Sequence, residues 1–312
     1  MVDGQNWERA VLEKLALAAL KEQRAARQWG IFFKLVGLGL MVLILGSLLG
    51  WFDGRDGVGS GKHTAVVEVS GVIEADGRAS AENIIAGLQA AFKDVQTQGV
   101  IIRINSPGGS PVQAGQINDE MRRLKAKYPN TPLYAVVEDI CASGGYYIAV
   151  AADKIYVNKA SVVGSIGVIL DGFGLVGTME KLGVERRVQT AGENKAFMDP
   201  FSPVQPKHQE YAQQMLDEIH KQFIEVVKAG RGQRLKDTPE LFSGLVWNGA
   251  RSVDMGLADG LGSVEQVARD VIKAEDLVDY TVKEKLTDRL ARRFGGVVAN
   301  GVAGVIGQIR LR

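Results

Sequence analysis

Gly99-Val100-Ile101-Ile102-Arg103-Ile104-Asn105-Ser106-Pro107-Gly108-Gly109-Ser110 is a buried-strand pattern closed by a tight turn, and a helical stretch at 111–127 follows it. Strand, turn and helix make one βα unit, and repeated units build a parallel sheet covered by helices. The pattern recurs on both sides. Upstream, Ala65-Val66-Val67-Glu68-Val69 precedes a helix expected over 80–98 with Ser80 as its cap. Downstream, a strand over 132–138 leads into a helix over 143–152, and two further strand-like segments lie at 161–168 and 185–189. Parallel strands gather their turns along one sheet edge, where α/β sites form. The Gly108-Gly109 turn and Ser143 are expected to share that edge.

Ser143 sits in Ala142-Ser143-Gly144-Gly145-Tyr146-Tyr147, where strand gives way to helix. A helix start offers unpaired amides and the positive end of the helix dipole, both of which stabilise an oxyanion. Serine is also a preferred helix cap, so a purely structural serine is the alternative. Gly108 and Gly109 permit positive φ and let a carbonyl approach backbone amides closely. Lys195 lies in Gly192-Glu193-Asn194-Lys195-Ala196-Phe197-Met198-Asp199-Pro200-Phe201, followed by apolar residues. A lysine acts as a general base only once neutral, which apolar burial favours, although beside Glu193 it also reads as a surface lysine. Ser165, in Ser161-Val162-Val163-Gly164-Ser165-Ile166-Gly167-Val168, can aim such an amine, or the segment is simply a buried strand.

Other chemistries have less support. His63, His208 and His220 are the only histidines; His63 falls in the expected stalk and the other two in a polar helical stretch, where they read as solvated. A Ser/His/Asp triad is therefore poorly supported. No HExxH or CxxC spacing suggests a metal. The lone Cys141 reads as a small buried apolar residue. With 46% hydrophobic residues and 37 basic against 36 acidic side chains, neither disorder nor nucleic-acid binding is favoured.

Together and in this order, Asn105-Ser106-Pro107-Gly108-Gly109, Ala142-Ser143-Gly144-Gly145-Tyr146-Tyr147, Gly164-Ser165-Ile166-Gly167-Val168 and the later Lys195 resemble the signal peptide peptidase A family of membrane-bound serine peptidases, including its short SohB-like members. The resemblance runs from about Val66 to about Val271. It implies a ClpP/crotonase-like layered βα domain in which Ser143 is the nucleophile, Lys195 the base and Ser165 the lysine's partner. Gly108 or Gly109, together with Gly144, would supply the oxyanion contacts, with no cofactor and no metal. It further implies a ring-like or dome-shaped homo-oligomer, with contacts from the helical stretch 205–228 and sites shared between protomers. The implied substrates are hydrophobic membrane-derived peptides such as remnant signal peptides, and by extension misfolded membrane proteins.

Leu35 to Phe52 is an uncharged run of 18 residues. As a helix, with its upstream extension, it would span about 27–33 Å, close to a bilayer core. A transmembrane helix is expected over 31–52, bracketed by Trp29 and Trp51. Before it, residues 1–30 read as a cytoplasmic amphipathic helix; after it come a glycine-rich stalk at 53–63, the peptidase domain at 64–275 and a basic tail at 276–312 that either stays free or lies on lipid. Lys21, Arg24, Arg27 and Lys34 precede the run, against Arg55 and Lys62 after it. That bias predicts a cytoplasmic N-terminus, with the catalytic domain on the outer side of the inner membrane. Two alternatives remain: an acyl-CoA hydratase or isomerase on a related fold, and a non-catalytic membrane scaffold.

Overall fold

The computed structural model describes residues 3–48, 61–236 and 238–282. Most of the expected stalk, Trp51 and the tail from residue 283 onward lie outside the described residues. The chain divides into a layered domain and a separate unit that holds the N-terminal helix.

That helix, α1 (Asp3–Leu48), is one continuous element of 46 residues rather than the two segments expected. A single Gly30 at the anticipated break costs about 1 kcal/mol, too little to interrupt a helix that has no proline. Within it the stretch Leu20–Gly46 contains an 18-residue window of mean hydropathy 2.1, long and apolar enough to cross a membrane. Trp29 stacks on Phe33 and meets Phe32 edge-on along its surface.

The layered domain is built on a sheet with eight strands among the described residues. In chain order these are β1 (His63–Ser70), β2 (Thr97–Ser106), β3 (Leu133–Ala142), β4 (Lys154–Val157), β5 (Val162–Gly164), β6 (Val246–Asn248), β7 (Gly260–Leu261) and β8 (Leu277–Asp279). The main order is β6-β5-β3-β2-β1-β8, with β4 on the first half of β3 and β7 beyond β4. All pairings are parallel except β5 with β6. β8 carries the sheet past the boundary expected at 275. The segment 185–189 forms no strand: it is exposed, and no strand among the described residues pairs with it.

Helices α2 (Ala81–Lys93), α3 (Pro111–Lys127), α4 (Gly144–Ala149) and α6 (Pro206–Arg231) cover one face, while α5 (Val176–Leu182) buries nothing. The main core joins Val67, Ile102, Ile104 and Val137 of the strands to Leu88, Ile117, Ile148 and Val227 of the helices. On the other face Val66, Ile101 and Val136 pack on Val264, Val267 and Ala268 from the short helical segment 264–272 that follows β7. Alternate strand residues thus fill opposite layers. Ser80 caps α2 as expected, accepting from the Asn83 amide. The helix stops at Lys93, before 98, because Asp94 turns the chain: its carboxylate accepts from the Gln96 amide (2.8 Å) and the Tyr280 hydroxyl (2.6 Å).

None of the three histidines behaves as expected. His63 opens β1 fully buried, with Nδ1 at 3.0 Å from Gly61 O and Nε2 at 3.1 Å from the Tyr280 hydroxyl. His208 is buried against Asn194, and His220 reaches the Ile166 carbonyl. Sequence polarity around 205–228 hid the fact that α6 turns these rings toward loops distant in sequence.

Candidate active site

β3 ends at Ala142, which pairs with Gly164 of β5, and α4 begins two residues later. To make that corner Ser143 adopts φ 51° and ψ −121°, a region costly for any residue with a Cβ. Its amide donates to Gly164 O (2.9 Å) and its carbonyl accepts from the Tyr147 amide (2.9 Å), which together fix the turn. Ser143 occupies the cap position of α4, yet its hydroxyl makes no capping bond. The side chain is half-buried and lines a cleft.

The Gly108-Gly109 turn packs directly on this serine. A Cβ on Gly108 would stand 2.7 Å from the Ser143 Cβ and 2.8 Å from the Gly144 nitrogen, and one on Gly109 would collide with the Ile73 carbonyl. Ile73 clamps the turn from both sides: its amide donates to Gly108 O (2.9 Å) and its carbonyl accepts from the Ser110 amide (2.8 Å). The two glycine amides differ. Gly108 N–H donates to Ser106 Oγ (3.1 Å), so it is already engaged. Gly109 N–H and Gly144 N–H have no acceptor among the described residues, and a Gly144 Cβ would sit 3.3 Å from the Gly109 nitrogen. Two adjacent free amides beside a serine hydroxyl can hold an anionic oxygen.

The cleft has a volume of about 430 Å³ and brings Ser143, Gly109 and Gly144 together with Ser165. Ser165 also has positive φ (53°), held by its amide donating to Leu245 O (2.7 Å). The walls include Ala114, Tyr147, Ile219 and Phe223, an apolar lining whose place at the site the sequence did not indicate, although Tyr147 belongs to the serine motif. A further trace in the sequence was the amphipathic period of α6, which places Ile219 and Phe223 on one face. Burial pushes the Cys141 thiol well up, and burial followed by Asp119 raises the Tyr147 phenol. Neither group supplies a base next to Ser143 at neutral pH.

Lys195 is elsewhere. It is exposed in the turn at 192–199, does not line the cleft and shares no hydrogen bond with Ser143 among the described residues. α6 shows why. His208 at its start bonds Asn194 Oδ1 (3.2 Å), next to Lys195, while His220 bonds Ile166 O (3.1 Å), next to Ser165. Twelve residues separate the two rings, about 18 Å along the helix, whereas a lysine stem spans about 6 Å. Four of the expected site residues, Ser143, Ser165, Gly109 and Gly144, thus line one cleft, with Gly108 packed against them, and Lys195 of the same chain stands apart.

Residues 125–278 match peptidase family S49. Among curated relatives, a Na(+)/H(+) antiporter NhaA of Brucella melitensis is 43% identical over 210 residues, which are 67% of this chain and 28% of that protein. A provisionally named signal peptide peptidase SppA of Enterococcus faecium is 31% identical over 237 residues, 73% of this chain and 68% of the relative. A provisionally named protease of Methanocaldococcus jannaschii is 30% identical over 232 residues, 70% and 74% of the two chains. The chain spans little more than a quarter of the length of the Brucella protein.

Proposed function

The chain belongs to peptidase family S49, and from that premise we propose that it is a membrane-anchored serine endopeptidase whose dyad is Ser143 of one copy and Lys195 of a neighbouring copy. The observation that carries the reading is Ser143 itself: a strained residue with an uncommitted hydroxyl, beside two unclaimed amides in an apolar cleft. Strain of this kind persists only where the surroundings impose it, and it clusters at reacting groups.

In the proposed reaction neutral Lys195 takes the Ser143 proton and Oγ bonds to the scissile carbonyl carbon. The carbonyl oxygen, now anionic, accepts from the Gly109 and Gly144 amides. Collapse breaks the C–N bond, and the lysine ammonium returns its proton to the leaving amine. Water, deprotonated by the same lysine, then cleaves the ester and Ser143 recovers its proton. Ser165 accepts one hydrogen bond from the amine and so aims it. Gly108 is assigned to the turn, since its amide serves Ser106. Docking in a neighbour's cleft would strip water from the exposed amine, and desolvation favours the neutral form.

Supporting a shared site, α6 holds the Lys195 turn and the Ser165 strand about three turns apart. Supporting a homo-oligomer, the segment after Ser165 leaves Ile169, Phe173 and Leu182 between 71% and 85% exposed, an apolar surface that a lone chain would keep in water. The apolar cleft and the span Leu20–Gly46 support hydrophobic membrane-derived peptides as substrates, remnant signal peptides and misfolded membrane proteins among them. Lysine and arginine weighting, four residues before the uncharged run against two after it, supports a cytoplasmic N-terminus and a layered domain outside the inner membrane.

The test is complementation by full-length chains in detergent. Ser143→Ala and Lys195→Ala should each abolish hydrolysis of a hydrophobic peptide, and random co-assembly in equal amounts should restore about one quarter of the sites. No recovery in verified mixed oligomers excludes the shared site, and full activity of Lys195→Ala excludes lysine as the base.

A further inference from the structure

We propose that His208 is the positioning residue for the base: through Asn194 and Phe197 it sets the shape of the turn that presents Lys195. This rests on the reading of Lys195 as the base. The turn at 192–199 is locally tight, with the Lys195 amide donating to Gly192 O (3.1 Å) and the Phe197 amide to Asn194 O (3.1 Å). Its side chains are mostly exposed, so little packing of its own holds it. The start of α6 does so instead.

His208 is only 6% exposed although it stands on a helix whose other first-turn residues are in water. Its Nε2–H donates to Asn194 Oδ1 at 3.2 Å, one residue before Lys195. Its ring also lies 5.3 Å from that of Phe197, two residues after Lys195, and Phe197 in turn meets Tyr211 edge-on at 5.8 Å. Both flanks of the lysine are therefore tied to one buried imidazole, while the lysine itself is left free to extend. The third tie, Lys207 to Glu193 at 2.8 Å, joins two side chains that are 67% and 78% exposed. A pair so exposed contributes little, so the burden falls on His208.

A base must reach its proton within about 3 Å, and misplacement by about 1 Å costs on the order of 100-fold in rate. Loosening the turn should therefore act on turnover rather than on substrate affinity, because the cleft that binds peptide is lined by other residues. A merely structural histidine would instead lower the amount of assembled enzyme and leave kcat per active site intact.

The experiment uses the full-length assembled enzyme, with active sites counted by end-point labelling with a fluorophosphonate, which phosphonylates the serine and releases fluoride. His208→Ala and Asn194→Ala should each lower kcat about 10- to 100-fold with KM within about twofold, and the double variant should lose no more than the worse single one. His208→Gln, which keeps an amide donor near the place of Nε2, should recover most of kcat. Asn194 is exposed, so its alanine variant decides the matter if His208→Ala does not assemble. Wild-type kcat in Asn194→Ala, additive losses in the double variant, or no recovery with glutamine overturns the proposal. Lys195→Ala, run alongside, separates the two levels: if it is active the base assignment fails, and if it is dead while Asn194→Ala is normal only the role of His208 fails.

Discussion

Replacing Ser143 with glycine should destroy activity and yet make the domain more stable than replacing it with alanine. At φ 51° and ψ −121° a Cβ-bearing residue is strained by about 1–2 kcal/mol. Alanine keeps that strain, and because the serine hydroxyl makes no capping bond its removal gains or loses little. Glycine relieves the strain but loosens the unfolded chain, which opposes it by about 0.4–1 kcal/mol. Strain relief outweighs the added chain entropy, leaving about 1 kcal/mol in favour of glycine, or about 2–4 °C in melting temperature for a domain of roughly 200 residues. The assay is thermal unfolding of the two full-length variants in the same detergent at equal protein concentration, followed by tryptophan fluorescence. A glycine variant melting at or below the alanine one would refute the claim that the corner stores strain.

Gly109→Ala should lower kcat about 10²- to 10³-fold in a chain that still folds by circular dichroism, because its new methyl group must displace Ile73 and with it the amide facing the cleft; a loss under tenfold would reassign that amide. Arg231, nearly fully buried, donates through Nη1 to Asp259 Oδ2 (2.7 Å) and through Nε to Gly256 O (2.9 Å), so Arg231→Met should cost about 3 kcal/mol in urea unfolding. Arg234→Met, whose partner bond to the same carboxylate is longer and more exposed, should cost about 1 kcal/mol or less, and equal losses would remove the distinction. Burial and the hydrogen bond to Asp94 push the Tyr280 phenol up to about 12, so the folded state favours its protonated form. That contribution is complete below about pH 10 and lost between about pH 10 and 12, and Tyr280→Phe should flatten this limb; parallel curves for the two proteins would contradict it. At the acid end the Tyr280 hydroxyl, then the Gln96 amide, hold Asp94 below the usual carboxylate range, so its contribution fades as pH falls below about 4.

Local sequence determined the parts whose physics is local. The largely apolar run of β2, the capped start of α2 and the whole of α3 (Pro111–Lys127) were legible, since burial period, capping side chains and an initial proline act within a few residues. So was the meeting of the Pro-Gly-Gly turn with Ser143, because parallel strands bring their carboxyl ends to one edge. An 18-residue uncharged run likewise announces a helix of bilayer length, whatever encloses it.

Tertiary structure alone decided what depended on partners distant in the chain. Nothing near Gly108 or Gly109 distinguishes their amides; Ser106 and Ile73 do, once the turn is folded between them. His208 and His220 read as solvated because their neighbours in sequence are polar, and His63 as part of the stalk because glycines precede it, whereas the neighbours of the three in space are Asn194, Ile166 and Tyr280. The distance of Lys195 from Ser143 is set by α6, a rigid element that ties one loop at each of two well-separated positions, and no pattern of residue types encodes a length between loops.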